Sequence, residues 1–200
     1  MSNPARIRHG AIVVLILVLI PASIACSKST PAGTPASSAA NAGGGGTAAV
    51  YVHALCTSMN DWVTSIKIRA AQVGPDVSSA DTLVKRRALA VAYFGDLADL
   101  TGQLVDKVKA EGAPNVSGGE ASHTVFVDAF TAARQIFVAA QTTAKSLPVD
   151  KAKAFKTAFN NSLTALKSAS DQIGTALSAL SGGDLDTAAA ADSACQTIGQ

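Results

Sequence analysis

The chain has 200 residues, of which 48% are hydrophobic and 15% charged, and its formal net charge is +2. This length suits one domain with additional segments. Removal of an N-terminal targeting segment that carries Arg6 and Arg8 would leave fourteen basic residues against fourteen acidic ones. A domain of zero net charge has no general attraction for nucleic acid, so no nucleic-acid partner is expected.

The N-terminal residues have the pattern of an export signal. Arg6 and Arg8 precede the apolar run 11–20, which Pro21 ends, and the small residues 22–25 then lead to Cys26. A run of ten residues is too short for a membrane span, which needs about 20. The pattern resembles the signal peptide of actinobacterial lipoproteins, with Ser23 in place of the usual Leu.

The resemblance implies a signal peptide over residues 1–25 and cleavage before Cys26. The sulfur of Cys26 would then carry a lipid with fatty chains such as palmitate. The protein would be anchored to the cell membrane on its extracytoplasmic face, and the membrane would be its first partner. An uncleaved membrane segment is the alternative.

Residues 26–47 predict a flexible tether. They are almost entirely Ser, Thr, Pro, Ala, Gly and Asn and end near the four glycines 43–46. Such a composition buries too little apolar surface to offset the entropy of ordering. A flexible chain of this length would hold a domain about 25 Å from the lipid surface.

From residue 48 the apolar residues recur at helical spacing. A first helix is predicted to end at Gly74-Pro75, and a second to begin at a capping box over residues 78–81 and to close at Gly112. The second apolar stripe comprises Val84, Ala88, Val91, Phe94, Leu97, Thr101, Leu104 and Val108.

Three more helices are predicted after the loop to Gly119. The third ends before Pro148, the fourth follows Asp150 as its N-cap and ends at Gly182-Gly183, and the fifth is capped by Asp184. The apolar positions of the third and fourth helices are Phe126, Ala129, Phe130, Ala133, Ile136, Phe137, Ala140, Leu147, Phe155, Phe159, Leu163, Leu166, Ile173, Leu177 and Leu180.

No segment alternates apolar and polar residues as a strand would, so the fold class is all-α. Long amphipathic helices with short links bury their stripes against antiparallel neighbours. We therefore expect residues 48–200 to form an antiparallel up-down four-helix bundle with a short C-terminal fifth helix.

Cys56 and Cys195 remain as a pair once Cys26 is assigned to the lipid. In an oxidising compartment a disulfide is the expected outcome, and the alternative is two buried thiols. In an up-down topology both residues lie at similar heights, because the first and fifth helices start at the same end of the bundle.

The sequence offers little chemistry. Glu111 and Glu120 flank one loop, so a carboxylate-bridged metal core is not expected. His53 and His123 both belong to the first turns of helices that start at the same end of the bundle. The two imidazoles could form a metal site only if they lay close together. The favoured interpretation places both histidines at the surface, with no metal and no cofactor. The other charged groups are interpreted as solvated helix faces: Asp96, Asp99, Asp106, Lys85, Arg86 and Arg87.

Five phenylalanines on the third and fourth helices predict a phenylalanine seam: Phe126, Phe130, Phe137, Phe155 and Phe159. Stripes at helical spacing are usually core, and the alternative is a pocket for an apolar small molecule. The leading hypothesis is a non-enzymatic envelope lipoprotein that binds or scaffolds an envelope protein. A carrier of lipids or other apolar molecules is the alternative function.

Overall fold

The computed structural model describes residues 46–179 and 183–198, and within these ranges the regular secondary structure is helical, with no strand. Four long antiparallel helices pack side by side, which confirms the predicted all-α up-down bundle. The predicted signal peptide, Cys26 and the predicted tether as far as residue 45 lie outside the described residues, as do Leu180 and Gly182. The helices are α1 (Ala48–Ser79), α2 (Leu83–Glu111), α3 (Gly119–Lys145), α4 (Ala152–Ala179), α5 (Gly183–Ala191) and α6 (Ser193–Gln196).

The boundary between α1 and α2 differs from the prediction. α1 continues through Pro75 to Ser79 although proline lacks an N–H and crowds the preceding turn, and Val73 packs against the core just before it. Ser78 and Ser79 therefore belong to α1 and cannot cap α2. The N-cap is Thr82, whose Oγ1 accepts a hydrogen bond from the Lys85 N–H at 3.2 Å.

The C-terminal half also differs in its helix ends. α3 ends at Lys145, and Leu147 is buried in the turn that follows it. α4 begins at Ala152, so Asp150 is not the residue before the helix. The single fifth helix predicted is two helices, because Asp192 adopts an extended backbone and its Oδ1 accepts from the Ala194 N–H. Asp184 lies inside the first turn of α5 and does not cap it.

The most extensive contact between two helices is that of α2 with α3. Two glycines on α2, seven residues apart, lie beneath long side chains of α3. A Cβ at Gly102 would be 2.9 Å from Arg134 Nε, and a Cβ at Gly95 would clash with Gln141 Nε2. The absence of side chains at these two positions leaves room for the ends of Gln141 and Arg134 to lie across α2.

The core runs along the inner faces of all four long helices. Thr101 is fully buried in it and is satisfied twice: its hydroxyl donates to the Leu97 carbonyl at 2.7 Å and accepts from Trp62 Nε1 at 3.1 Å. Trp62 also meets Phe130 edge-on. The predicted stripe of α2 is confirmed from Val91 to Val108, whereas Val84 is 54% exposed and Ala88 is exposed as well.

Candidate functional site

Residues 183–198, the C-terminal arm, pack against the N-terminal half of α1. Tyr51 and Val52 of α1 are buried beneath Leu185, Ala188 and Ala189 of the arm. α5 has only nine residues, which is too short for an isolated helix to be stable in water. Its apolar contacts with α1 therefore stabilise it. The arm therefore closes the end of the bundle at which α1 begins.

A disulfide joins Cys56 of α1 to Cys195 of the arm. The two Cα atoms are 4.9 Å apart, within the range that a disulfide spans. This confirms the predicted pairing and the prediction that both residues lie at the same height. The bond closes a loop with a sequence separation of 139 residues and thereby fixes the arm to α1.

Polar contacts reinforce the same attachment. His53 Nδ1 is 2.9 Å from Asp192 Oδ2, and the Asn60 amide donates to the Ala194 carbonyl at 2.6 Å and to the Thr197 hydroxyl at 3.0 Å. The hydrogen bond from His53 lowers the pKa of Asp192, and the backbone N–H groups of Ala194 and Cys195 act in the same direction. These groups are engaged in holding the arm.

The second histidine has a different partner. Nδ1 of His123 lies 3.2 Å from the Tyr51 hydroxyl, and the two rings are tilted with centroids 6.0 Å apart. Burial, and to a smaller extent the nearby charge of Glu111, together raise the pKa of Tyr51 to about 12. The phenol is therefore neutral near pH 7 and acts as a hydrogen-bonding group, not as a base.

The structure does not bring the histidines into a common site. His53 bonds to Asp192 and His123 to Tyr51. Across residues 46–179 and 183–198, no group of three or more His, Cys, Asp and Glu side chains is arranged to hold a metal ion. Glu111 and Glu120 are exposed, as are Asp99 and Asp106.

The phenylalanine seam is packed core. Phe126 and Phe130 stack with centroids 4.5 Å apart and are 1% and 0% exposed, and Phe155 stacks on Phe159. Two grooves lie elsewhere, on the surface. One holds about 380 Å³ between α2 and α3 beside Gly102 and Arg134, and the other holds about 70 Å³ between α1 and α2 beside Trp62. The walls of both grooves combine charged and polar side chains with apolar ones, such as Lys107 with Trp62 in the smaller groove and Asp106 with Val105 in the larger.

The sequence interpretation missed a concentration of basic side chains at the end of the bundle opposite the arm. The first turn of α2, the end of α3 and the start of α4 meet there, since Leu83, Leu147 and Phe155 belong to one core cluster. We call this surface the basic end and define it by Lys85, Arg86, Arg87, Lys145, Lys151, Lys153 and Lys156. These groups are separate in sequence, and the folded chain brings the helix ends that carry them to the same end of the bundle.

Comparison with known proteins gave no relative from which a function could be transferred. No protein-family model matches the chain, and neither a curated protein nor a solved structure matches it. In the part of the chain that the structure describes, none of the helices combines the length and the apolar character needed to cross a membrane.

Proposed function

We propose that this protein is a lipid-anchored lipoprotein of the cell envelope whose helical bundle acts as a non-enzymatic binding or scaffolding module. The observation that carries the proposal is the order of Arg6 and Arg8, the apolar run 11–20 and Cys26 at the N-terminus. The Cys56–Cys195 disulfide supports it, because such bonds persist mainly in oxidising compartments outside the cytoplasm.

The architecture of the bundle is compatible with attachment to the membrane through one of its ends. α1 begins at Ala48, directly after the tether, and its 32 residues extend for about 48 Å. An anchor at Cys26 would connect the bundle to the membrane through the end that carries the C-terminal arm, and the opposite end would lie farther from the point of attachment. A module with this arrangement presents its far end to other molecules of the envelope.

The absence of assembled catalytic groups in the described residues favours binding over catalysis. The polar side chains that do meet, His53 with Asp192 and Tyr51 with His123, join separate parts of the chain and leave no nucleophile beside a general base. Turnover of an envelope substrate by the purified protein, lost in a single-residue variant, would contradict the non-enzymatic assignment.

The anchor is tested by Cys26→Ala, with Ser27→Ala as the matched control. We expect the Cys26 variant to lack the mass of the diacylglyceryl group and to leave the membrane fraction, whereas the Ser27 variant keeps both. An unchanged mass and unchanged membrane retention in Cys26→Ala would show that the apolar run 11–20 is an uncleaved membrane segment.

The mode of binding is tested by native mass spectrometry of the protein extracted from membranes. A bare acylated chain is expected for a scaffolding module, because the phenylalanine seam is filled by its own side chains. Detection of a stoichiometric apolar ligand would contradict the scaffolding function and support the carrier function instead.

A further inference from the structure

Two pairs of side chains with metal-binding chemistry face each other where the arm meets α1. His53 and Cys56 are three residues apart on α1, and Asp192 and Cys195 are three residues apart at the start of α6. His53 Nδ1 lies 2.9 Å from Asp192 Oδ2, and the Cα atoms of the two joined cysteines are 4.9 Å apart. Because residues three apart on a helix are neighbours on one face, all four side chains lie in one small region.

The oxidised form does not offer this region to a metal ion. Within residues 46–179 and 183–198, no group of three or more His, Cys, Asp and Glu side chains is arranged to hold one. Metals bind the thiolate form of cysteine, and the sulfurs of Cys56 and Cys195 are bonded to each other instead. Reduction would convert them into two thiols beside an imidazole and a carboxylate.

We propose that the dithiol form of this protein binds one zinc ion through Cys56, Cys195, His53 and Asp192. In that form the zinc ion, in place of the disulfide, would join α1 to the arm. The inference goes beyond the proposed function and does not depend on the lipid anchor.

The donor atoms favour zinc over other common metal ions. Two thiolate sulfurs, one imidazole nitrogen and one carboxylate oxygen are ligands that a tetrahedral zinc ion accepts. Mg²⁺ and Ca²⁺ require oxygen ligands throughout, and Cu(I) prefers sulfur to a carboxylate. The mixture of donors therefore selects zinc as the occupant.

The geometry of the nitrogen and oxygen donors is close to what zinc requires. Two such ligands at about 2.0 to 2.1 Å from a tetrahedral zinc ion are about 3.3 Å from each other. His53 Nδ1 and Asp192 Oδ2 are already 2.9 Å apart, so they need little movement to admit the ion. The other oxygen of Asp192 accepts from the Ala194 N–H at 2.8 Å, which orients the carboxylate as outer hydrogen bonds orient metal ligands.

The surroundings of the four side chains also favour a cation. The segments that supply them, residues 46–65 and 183–198, contain four aspartates and no Lys or Arg. Such an excess of negative charge raises the local concentration of cations. The side chain of His53 is 63% exposed and that of Asp192 17%, so an ion can enter from solvent on this side.

The site forms by a two-electron reduction followed by exchange of protons for the metal. A dithiol reductant supplies two electrons and two protons: the S–S bond between Cys56 and Cys195 breaks, two thiols form, and the reductant becomes a disulfide. Zn²⁺ then displaces one proton from each thiol without further electron transfer. Reoxidation of the cysteines would release the ion.

The test uses the full-length chain with Cys26→Ala, so that Cys56 and Cys195 are its only thiols. The chain is purified in detergent, reduced with dithiothreitol, separated from the reductant under nitrogen and titrated with Zn²⁺. Co²⁺ serves as a spectroscopic substitute for zinc. The oxidised chain and a chain with Ser at both cysteine positions are titrated in parallel.

The site variants are His53→Gln and Asp192→Asn, and the matched controls are His123→Gln and Asp186→Asn. Asn is also a good N-cap, so Asp192→Asn should retain α6. Circular dichroism verifies that every variant keeps its helices.

We expect the reduced chain to bind one Zn²⁺ per molecule, whereas the oxidised chain and the double Ser variant bind none. Each site variant should bind zinc about tenfold more weakly or worse, and each control should change the affinity by less than about twofold. The Co²⁺ form should show thiolate-to-cobalt charge-transfer absorption and the visible bands of tetrahedral coordination.

Hydrogen exchange reports whether the ion joins the arm to α1. Zinc should restore the protection of residues 183–198 in the reduced chain, and a chelator should remove it again. The absence of zinc binding, one zinc ion shared by two chains, or zinc that leaves the arm unprotected would overturn the proposal. Equal affinity of the wild type and both site variants would do the same, since it would indicate a site formed by the two thiolates alone.

Discussion

Nδ1 of His53 on α1 lies 2.9 Å from Oδ2 of Asp192, the residue that separates α5 from α6. The same carboxylate caps α6 through its other oxygen, which accepts from the Ala194 N–H at 2.8 Å. A single side chain thus serves as the N-cap of a short helix and as the link between that helix and the bundle. We therefore expect the charge of Asp192 to contribute to the attachment of the arm, in addition to the disulfide and the apolar contacts.

Asp192→Ala is expected to loosen the arm without unfolding the four long helices. Because the pKa of Asp192 is lowered in the folded chain, the carboxylate stabilises the fold above the ordinary carboxyl pKa of about 4, and this contribution disappears as the pH falls through the lowered value. Hydrogen exchange of residues 183–198 should therefore be faster in the variant than in the wild type near pH 7.

The difference in protection between the two proteins should vanish at a pH well below 4, where both lack the charge. Asp186→Ala, a change of an exposed carboxylate on the same arm, serves as the control and should leave the protection of the arm unaltered. Equal protection of the wild type and Asp192→Ala near neutral pH would contradict the assigned role.

Reduction of the Cys56–Cys195 disulfide should release the arm first. In the entropic account, closing a loop of 139 residues stabilises a protein by about 5 kcal/mol, less any strain in the folded state. The arm packs on α1 and on no other long helix to a comparable extent, so α2 and α3 should keep their protection from hydrogen exchange after reduction.

The measurement compares oxidised protein, reduced protein and a variant with Ser at both positions. The Ser variant should match the reduced wild type and should not respond to reductant. If α2 and α3 lose protection together with the arm, the arm is part of the global folding unit and the expectation is wrong.

Both tyrosines of the chain should resist ionisation. Burial raises the pKa of Tyr51 to about 12 and also raises that of Tyr93. The folded state favours the neutral phenols, so their contribution to stability is complete below the unfolded pKa of about 10 and is lost as the pH rises toward 12.

Phenolate absorbance should therefore stay low at pH 10 and rise together with the loss of helical circular dichroism at higher pH. Denatured protein provides the reference titration near the ordinary value. In Tyr51→Phe the absorbance change should fall by half, and a normal titration of the folded wild type near pH 10 would contradict the burial of both phenols.

Two glycines should respond oppositely to replacement by Ala. A Cβ at Gly119, the first residue of α3, would clash with the backbone carbonyl oxygen of Pro114, whereas a Cβ at Gly174 within α4 meets no side chain within 4 Å and is not followed by a proline. We expect Gly119→Ala to lower the free energy of unfolding by about 1 to 3 kcal/mol. Gly174→Ala should raise it by up to about 1 kcal/mol, since Ala is the better helix former. Urea denaturation measures both, and an equal stability of the two variants would contradict the close approach at Gly119.

The existence of the four long helices could be predicted from the sequence, whereas the residues at which they begin and end could be predicted less well. The apolar period alone indicates four long helices, because only a helix places residues three and four apart on one face. The start of α2 was mispredicted because Ser78 and Thr82 are both good N-caps, and packing of Val73 against the core extended α1 past Pro75 and so decided between them. Where local sequence signals favour different helix boundaries, tertiary contacts determine which boundary forms.

The amino-acid sequence by itself determined the all-α class, the pairing of Cys56 with Cys195 and the proposal of an anchor at Cys26, since these depend on periodicity, on the number of cysteines and on a local pattern. Only the tertiary structure decided that the two histidines have separate partners and that lysines from α3 and α4 join the start of α2 at one end. Side chains distant along the chain become neighbours only when antiparallel packing fixes the relative heights of the helices, and no local pattern encodes those heights.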